Sequence, residues 1–238
     1  MRRSVCVSLL VVLALGLATS AALARTGARG ARSFNEEFAG GKLQPGWSWY
    51  HRNPKTSSLT KHPDFLHLEG SHEIAANCTG VENFLLRKSP AGDFEITTAV
   101  QIRPKVNYQE AGLIVFNDAD NYMKLDVVFN SMDVVFNSNL WGPTTGVELL
   151  REQSAVFNPT PWPNSKWKWG KTAYLRISRV ENSYSGYYSS NGTGWHPVGE
   201  LEAGNLSHLR IGLFAMSGCG DTTQFPPVSA DFDFFRIT

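Results

Sequence analysis

The sequence predicts an all-β chain in which two sheets pack face to face or one sheet closes into a barrel. Two observations carry that expectation. From Ser33 onward the apolar residues recur with period two rather than 3.6, and the runs that do so are separated by clusters of Gly, Pro, Asn, Asp and Ser. With no helix to cover a sheet, about 205 residues can bury their apolar faces by laying sheet on sheet or by closure.

The runs follow one another along the chain. Ser33–Phe38, Trp47–Tyr50, Phe65–Glu69 and Asn83–Arg87 are short candidates. Asp93–Arg103 puts Phe94, Ile96, Thr98, Val100 and Ile102 on one face and Glu95, Thr97 and Gln101 on the other, the pattern of a half-buried strand. Gln109–Asn117 and Asn121–Phe129 flank a turn holding Asp118 and Asp120, and along the second strand Met123, Leu125 and Val127 alternate with Tyr122, Lys124 and Asp126. The hexapeptide Asp126-Val-Val-Phe-Asn-Ser131 recurs at Asp133–Ser138, an offset of seven. An odd offset on one strand would put the copies on opposite faces, so a turn near Asn130-Ser131-Met132 is expected, with Asp133–Asn137 as the second arm of a hairpin. Gly146–Arg151, Tyr174–Val180, Ser183–Ser189, Leu209–Met216 and Val228–Ile237 complete the set, with Leu175 and Ile177 alternating against Arg176 and Ser178.

Ahead of these strands, Arg2 and Arg3 precede an apolar run from Val5 to Leu17 and the small-residue ending Ala22-Leu23-Ala24. That is the pattern of a signal peptide cleaved after Ala24, and the run is shorter than the roughly 20 residues that span a bilayer. Residues 25–32, with three arginines, read as a flexible basic linker, which leaves 33–238 as the folded domain of a secreted protein. No later stretch is long and apolar enough to cross a membrane. With 22 basic and 21 acidic residues the chain carries no electrostatic footprint for nucleic acid or an anionic membrane. Cys6 leaves with the leader, so Cys78 and Cys219 are expected to form one disulfide in an oxidising compartment; the alternative is two separate buried thiols.

The segment Tyr108-Gln-Glu-Ala-Gly-Leu113, the acidic turn and Asn121-Tyr-Met-Lys124 form one distinctive block. With Tyr174-Leu-Arg-Ile-Ser-Arg179, the hairpin Tyr187–Trp195, Ile211-Gly-Leu-Phe-Ala215 and Phe232–Ile237, the chain resembles the DUF1349 family over about Ser33–Thr238. That family has the concanavalin A-like lectin/glucanase fold and is related to the C-terminal β-sandwich of family 43 glycoside hydrolases. The resemblance implies a jelly-roll sandwich of two curved antiparallel sheets, one concave. It implies function less directly, because the fold hosts lectins, hydrolases and accessory modules.

Retaining glycosidases need two carboxyls about 5 Å apart, and inverting ones need them further apart. Glucanases of this fold carry them in Glu-x-Asp-x-x-Glu spacing on one strand, and no such spacing occurs here. No catalytic residues are therefore assigned, and a hydrolase is kept as the alternative in case Glu110 pairs with a carboxylate such as Asp126 on a neighbouring strand. There is no nucleophile elbow, no His-Glu-x-x-His and no phosphate loop. The six histidines, His51, His62, His67, His72, His196 and His208, show no close pair at metal-ligand spacing and read as surface or strand residues.

Binding is the expected activity. Sugars are recognised by flat aromatic faces with a few convergent polar groups. If Asn121–Phe129 lies in the concave sheet, as the family suggests, then Tyr122, Lys124 and Asp126 face the groove, Glu110 joins them, Trp49 and His51 serve as rim residues, and Trp141 is a further aromatic platform for a sugar. Trp195 is expected to pack rather than bind. The expected partner is a glycan or polysaccharide, with a protein-interaction module as a third reading, and the chain is expected to be a monomer. No cofactor is required, although the resemblance makes Asp233 a ligand for a possible structural calcium ion. The sequons at Asn77, Asn191 and Asn205 permit glycosylation in a eukaryotic host.

Overall fold

A computed structural model describes residues 33–74, 78, 80–130, 144–159, 172–202 and 206–238. Among them the chain is strands apart from one short 3-10 turn at Ala39–Gly41, and no helix is long and apolar enough to cross a membrane. In chain order the strands are β1 (Phe34–Glu36), β2 (Trp47–Tyr50), β3 (Ser57–Ser58), β4 (Leu66–Gly70), β5 (Phe84–Lys88), β6 (Phe94–Ile102), β7 (Glu110–Asp118) and β8 (Asn121–Asn130). They continue with β9 (Thr144–Gln153), β10 (Val156–Pro159), β11 (Ala173–Val180), β12 (Ser183–Ser189), β13 (His196–Glu202), β14 (Arg210–Met216) and β15 (Val228–Ile237).

The strands make two antiparallel sheets. The larger runs β13-β12-β11-β6-β15-β4-β3, with β1 also on β15, and the smaller runs β10-β9-β8-β7-β14-β5-β2. Alternation decides which residues lie between them: Phe94, Ile96, Val100, Leu175, Ile177, Phe232 and Phe235 from the larger sheet meet Leu85, Leu113, Val115, Met123, Leu125, Val127, Leu149, Ile211 and Leu213 from the smaller. Thr98, expected on that same face, is buried and donates a 2.6 Å hydrogen bond to the carbonyl of Phe234, next to the bulge where β15 slips register between Phe232 and Phe234.

A second apolar cluster lies on the opposite face of the smaller sheet. Phe84, Leu86, Ile114, Phe116, Tyr122, Leu150, Phe214 and Met216 project there, and the connection between β4 and β5 folds back to lay Ile74 and Val81 against them. The Cys78–Cys219 disulfide, with Cα atoms 5.6 Å apart, ties that connection to the loop after β14. Three strands lie beyond those the sequence disclosed: β3, β10 and β13. The second copy of the hexapeptide and its hairpin, Trp141, and the sequons at Asn77 and Asn205 lie outside the described residues.

Candidate functional site

Register places the charged residues. On β7 the positions facing away from the inter-sheet core are Glu110, Gly112, Ile114 and Phe116; on β8 they are Tyr122, Lys124, Asp126 and Val128; on β9 they are Gly146, Glu148, Leu150 and Glu152. Asp126 is paired across the ladder with Gly112 on one side and Glu148 on the other, while Lys124 is paired with Ile114 and Leu150. A Cβ at Gly112 would sit 2.1 Å from the carbonyl oxygen of Leu125 and 2.7 Å from the Cα of Asp126, so only glycine lets β7 approach β8 this closely at that point.

The Lys124 ammonium gathers the carboxylates. Its Nζ lies 3.1 Å from Glu148 Oε1 and 3.4 Å from Asp126 Oδ2, and it hydrogen-bonds Glu110 Oε2. All four are buried: Glu110 and Lys124 are 2% exposed, Asp126 0% and Glu148 6%. Beside them the Tyr122 hydroxyl stands 2.9 Å from Glu152 Oε2 and 3.0 Å from the carbonyl of Ile74, which fixes the covering loop to the sheet.

Three carboxylates around one ammonium leave excess negative charge in a poorly solvated place. Burial first, then repulsion from Glu148 and Glu73, push the Glu110 carboxyl up to about 8 against the pull of Lys124. Burial likewise raises Asp126 far above its ordinary range and raises Glu73. Burial works against the charge on Lys124 too, but Asp126, Glu110 and Glu148 outweigh it and hold the ammonium well above the usual lysine value. Glu110 Oε1 and both oxygens of Asp126 have no hydrogen-bond partner, an arrangement that suits retention of a proton within the cluster.

The other expected site residues lie elsewhere. On β2 the Trp49 side chain packs against the inter-sheet core with Leu85, and the Arg52 guanidinium stands 4.9 Å from its ring centroid. Its neighbour Tyr50, absent from the expected site, carries the opposite face, where it meets Phe84 and Phe116. His51 stacks on Tyr50 at 4.0 Å between centroids, and its Nδ1 lies 3.2 Å from the carbonyl of Val81. Four strand spacings, roughly 19 Å, separate β2 from β8. Glu110, Tyr122, Lys124 and Asp126 therefore converge, while Trp49 and His51 stand at the far edge. Trp195 has the Arg176 guanidinium 3.9 Å from its ring centroid.

Asp233 lies at the β15 bulge, partly exposed, where burial and the nearby Glu37 and Asp64 raise its carboxyl against the pull of Arg236. Among the described residues it belongs to neither of the two groups of side chains placed to share a metal ion. One of these is Glu110, Asp126 and Glu148; the other is His62, His67 and Asp231, on the larger sheet. Period two from Gly146 would have brought Glu148 into the cluster, but nothing in the sequence links His62 to Asp231.

The family whose model matches residues 35–238 is described as the β-xylosidase C-terminal concanavalin A-like domain, GH43_C2. The chain belongs to this family. Curated relatives of this GH43_C2 chain include a β-xylosidase from Bacillus subtilis (strain 168), 26% identical in an alignment 188 residues long that covers 75% of this chain and 33% of the relative. A xylan 1,3-β-xylosidase from a Vibrio species is 23% identical over 196 residues, 76% of this chain and 33% of the relative. The GH43_C2 chain thus spans about a third of the length of the curated relatives it matches. Among solved structures, a GH43 protein from Bacillus licheniformis superposes with a TM-score of 0.71 at 18% identity, covering 85% of this chain and 38% of that one. A functionally unknown protein from Saccharomyces cerevisiae superposes at 0.57 with 14% identity, covering 81% of this chain and 96% of that one. These two likenesses bear on the fold alone.

Proposed function

We propose that the chain is a secreted carbohydrate-binding module that holds a xylan-type glycan without cleaving it. The observation that carries the reading is the match of residues 35–238 to a domain of β-xylosidases, together with relatives named as a β-xylosidase and a xylan 1,3-β-xylosidase. The leader-like first 24 residues and the disulfide support secretion. The narrower DUF1349 affiliation rests on the five sequence segments that suggested it.

Burial of the cluster divides the work within the smaller sheet. Glu110, Tyr122, Lys124 and Asp126 are buried and hold the sheet together, and the half-buried Tyr50 with the exposed His51 offers an aromatic face at the edge. Arg210 adds a cation near that face, 5.9 Å from the Tyr50 ring centroid and 5.0 Å from that of Phe116. The converging carboxylates are what a hydrolase would need, yet each is almost wholly buried and shared with Lys124, which favours binding over cleavage. Against a protein-docking role, the large apolar side chains exposed among the described residues are Val156 and Val180, one on each sheet rather than in a patch.

Affinity electrophoresis in xylan gels tests the proposal. The chain is expected to be retarded and to release no reducing sugar, and His51→Asn, which tolerates the left-handed backbone at φ 50°, is expected to lose most of the retardation while folding normally. Released xylose would establish the hydrolase instead. Absence of retardation in xylan and across a glycan array would overturn the binding reading.

A further inference from the structure

We propose that His62, His67 and Asp231 form a binding site for a divalent transition-metal ion, zinc by the chemistry of its ligands, on the outer face of the larger sheet. The inference is independent of the glycan reading. Asp231 on β15 is paired directly across the ladder with His67 on β4 and with Gln101 on β6, so these three side chains share one face. The turn that follows β3 then folds His62 over them. His62 Nδ1 and His67 Nδ1 lie 2.8 Å and 2.7 Å from the same oxygen, Asp231 Oδ1, and the two rings meet edge to face with centroids 5.4 Å apart.

Two imidazole nitrogens gathered on one carboxylate oxygen make a three-ligand zinc set, and imidazole also suits copper and nickel. Bonds of about 2.0–2.1 Å in tetrahedral geometry put ligand atoms roughly 3.3 Å apart. Each imidazole nitrogen must therefore move about half an ångström away from Asp231 Oδ1 to admit the ion. His67, 3% exposed, and Asp231, 21% exposed, are held by the sheet, whereas His62 is 49% exposed and free to give that distance. Asp231 also lines a groove of about 670 Å³ with Gln101, Arg103, Lys105 and Ser229. Three protein ligands with an open position admit water or an anion as the fourth.

Lys61 competes with the metal. Its Nζ lies 2.9 Å from His67 Nε2, so the ammonium donates to that nitrogen and the ring carries its proton on Nδ1, which it donates to Asp231. Burial alone would raise the Asp231 carboxyl, but the bonds from His67 and His62 outweigh it and hold the group ionised below its ordinary range. Metal on the two Nδ1 atoms requires His67 and His62 each to move the proton now donated to Asp231 onto Nε2, a tautomeric change with no net proton released, and Lys61 must then turn into solvent. Glutamate at position 61 would accept the new Nε2–H and complete a carboxylate–histidine–metal relay.

Titration calorimetry of Zn²⁺ into the chelator-stripped full chain tests the site. One ion per chain is expected to bind with micromolar or tighter affinity; His62→Ala, which removes an exposed side chain, weakens binding about tenfold or more, and Lys61→Glu tightens it about tenfold. His196→Ala, at another exposed histidine, leaves the affinity unchanged. Co²⁺ in place of Zn²⁺ should give the intense visible absorption of a tetrahedral centre. Absence of stoichiometric binding, or binding that His62→Ala leaves intact, overturns the proposal and leaves Lys61, His67, Asp231 and His62 as a hydrogen-bonded relay only.

Discussion

Glu110 shows how one residue can set a property of the whole fold. Its carboxyl, near 8 when folded and near 4.5 when the chain is open, holds a proton in the folded state that the unfolded state has already given up. Between those values the folded state binds more protons, so its stability is highest on the acid side and falls as pH rises toward 8. Asp126 and Glu73 shift in the same direction and reinforce the slope. Glu110→Gln is expected to flatten the fall of Tm between pH 5 and pH 8, and parallel curves for variant and parent would count against this account. The grouping of Tyr122, Lys124 and Asp126 was legible in the sequence because alternation along one strand is local. That Tyr122 is buried was not, because Ile74, which packs beside it and accepts its hydroxyl hydrogen, is brought there by a loop from elsewhere in the chain. The same limit hid the approach of His62 and His67 to Asp231, 169 and 164 residues away.

Strands were legible where both faces had distinct work to do. β6, β8, β11 and β14 each show clean alternation because one side meets the inter-sheet core. β13 escaped notice because Pro197 and Gly199 interrupt its pattern; it forms the edge of its sheet, and its pairing with β12 shifts register between Gly186 and Tyr187. β3 has two residues and β10 ends in Pro159, so neither offers a period to read. Trp49 packs toward the inter-sheet core and Tyr50 takes the opposite face, since neighbours on a strand face opposite ways and Leu85, paired with Trp49, fixes which of the two points inward. The close approach of β7 and β8 gives the test at this scale. Gly112→Ala would force a methyl group against the Leu125 carbonyl and part the strands beneath the cluster, at a cost of about 3 kcal/mol measurable by urea unfolding; a cost under about 1 kcal/mol would show that the ladder can yield there.

At the scale of the molecule, the disulfide joins residues 141 positions apart and clamps the loop that covers the smaller sheet. Chain entropy gives such a link on the order of 5 kcal/mol, as an upper figure. Cys78→Ala with Cys219→Ala is expected to lower unfolding free energy by several kcal/mol and to speed proteolysis in the covering loop first; an unchanged stability would show that Ile74 and Val81 hold the loop unaided. The sandwich architecture was legible as a whole because composition and alternation left few other ways to bury the apolar faces. The place of β15 within it was not. This last strand lies between β6 and β4, and its far end also carries β1. On a ribosome, a chain that did not yet contain β15 would hold β6 and β4 with facing edges bare, unable to close the sheet. Folding of the larger sheet must therefore wait until β15 has been made, and a nascent or truncated chain without it passes through a state whose open edges invite pairing with other chains.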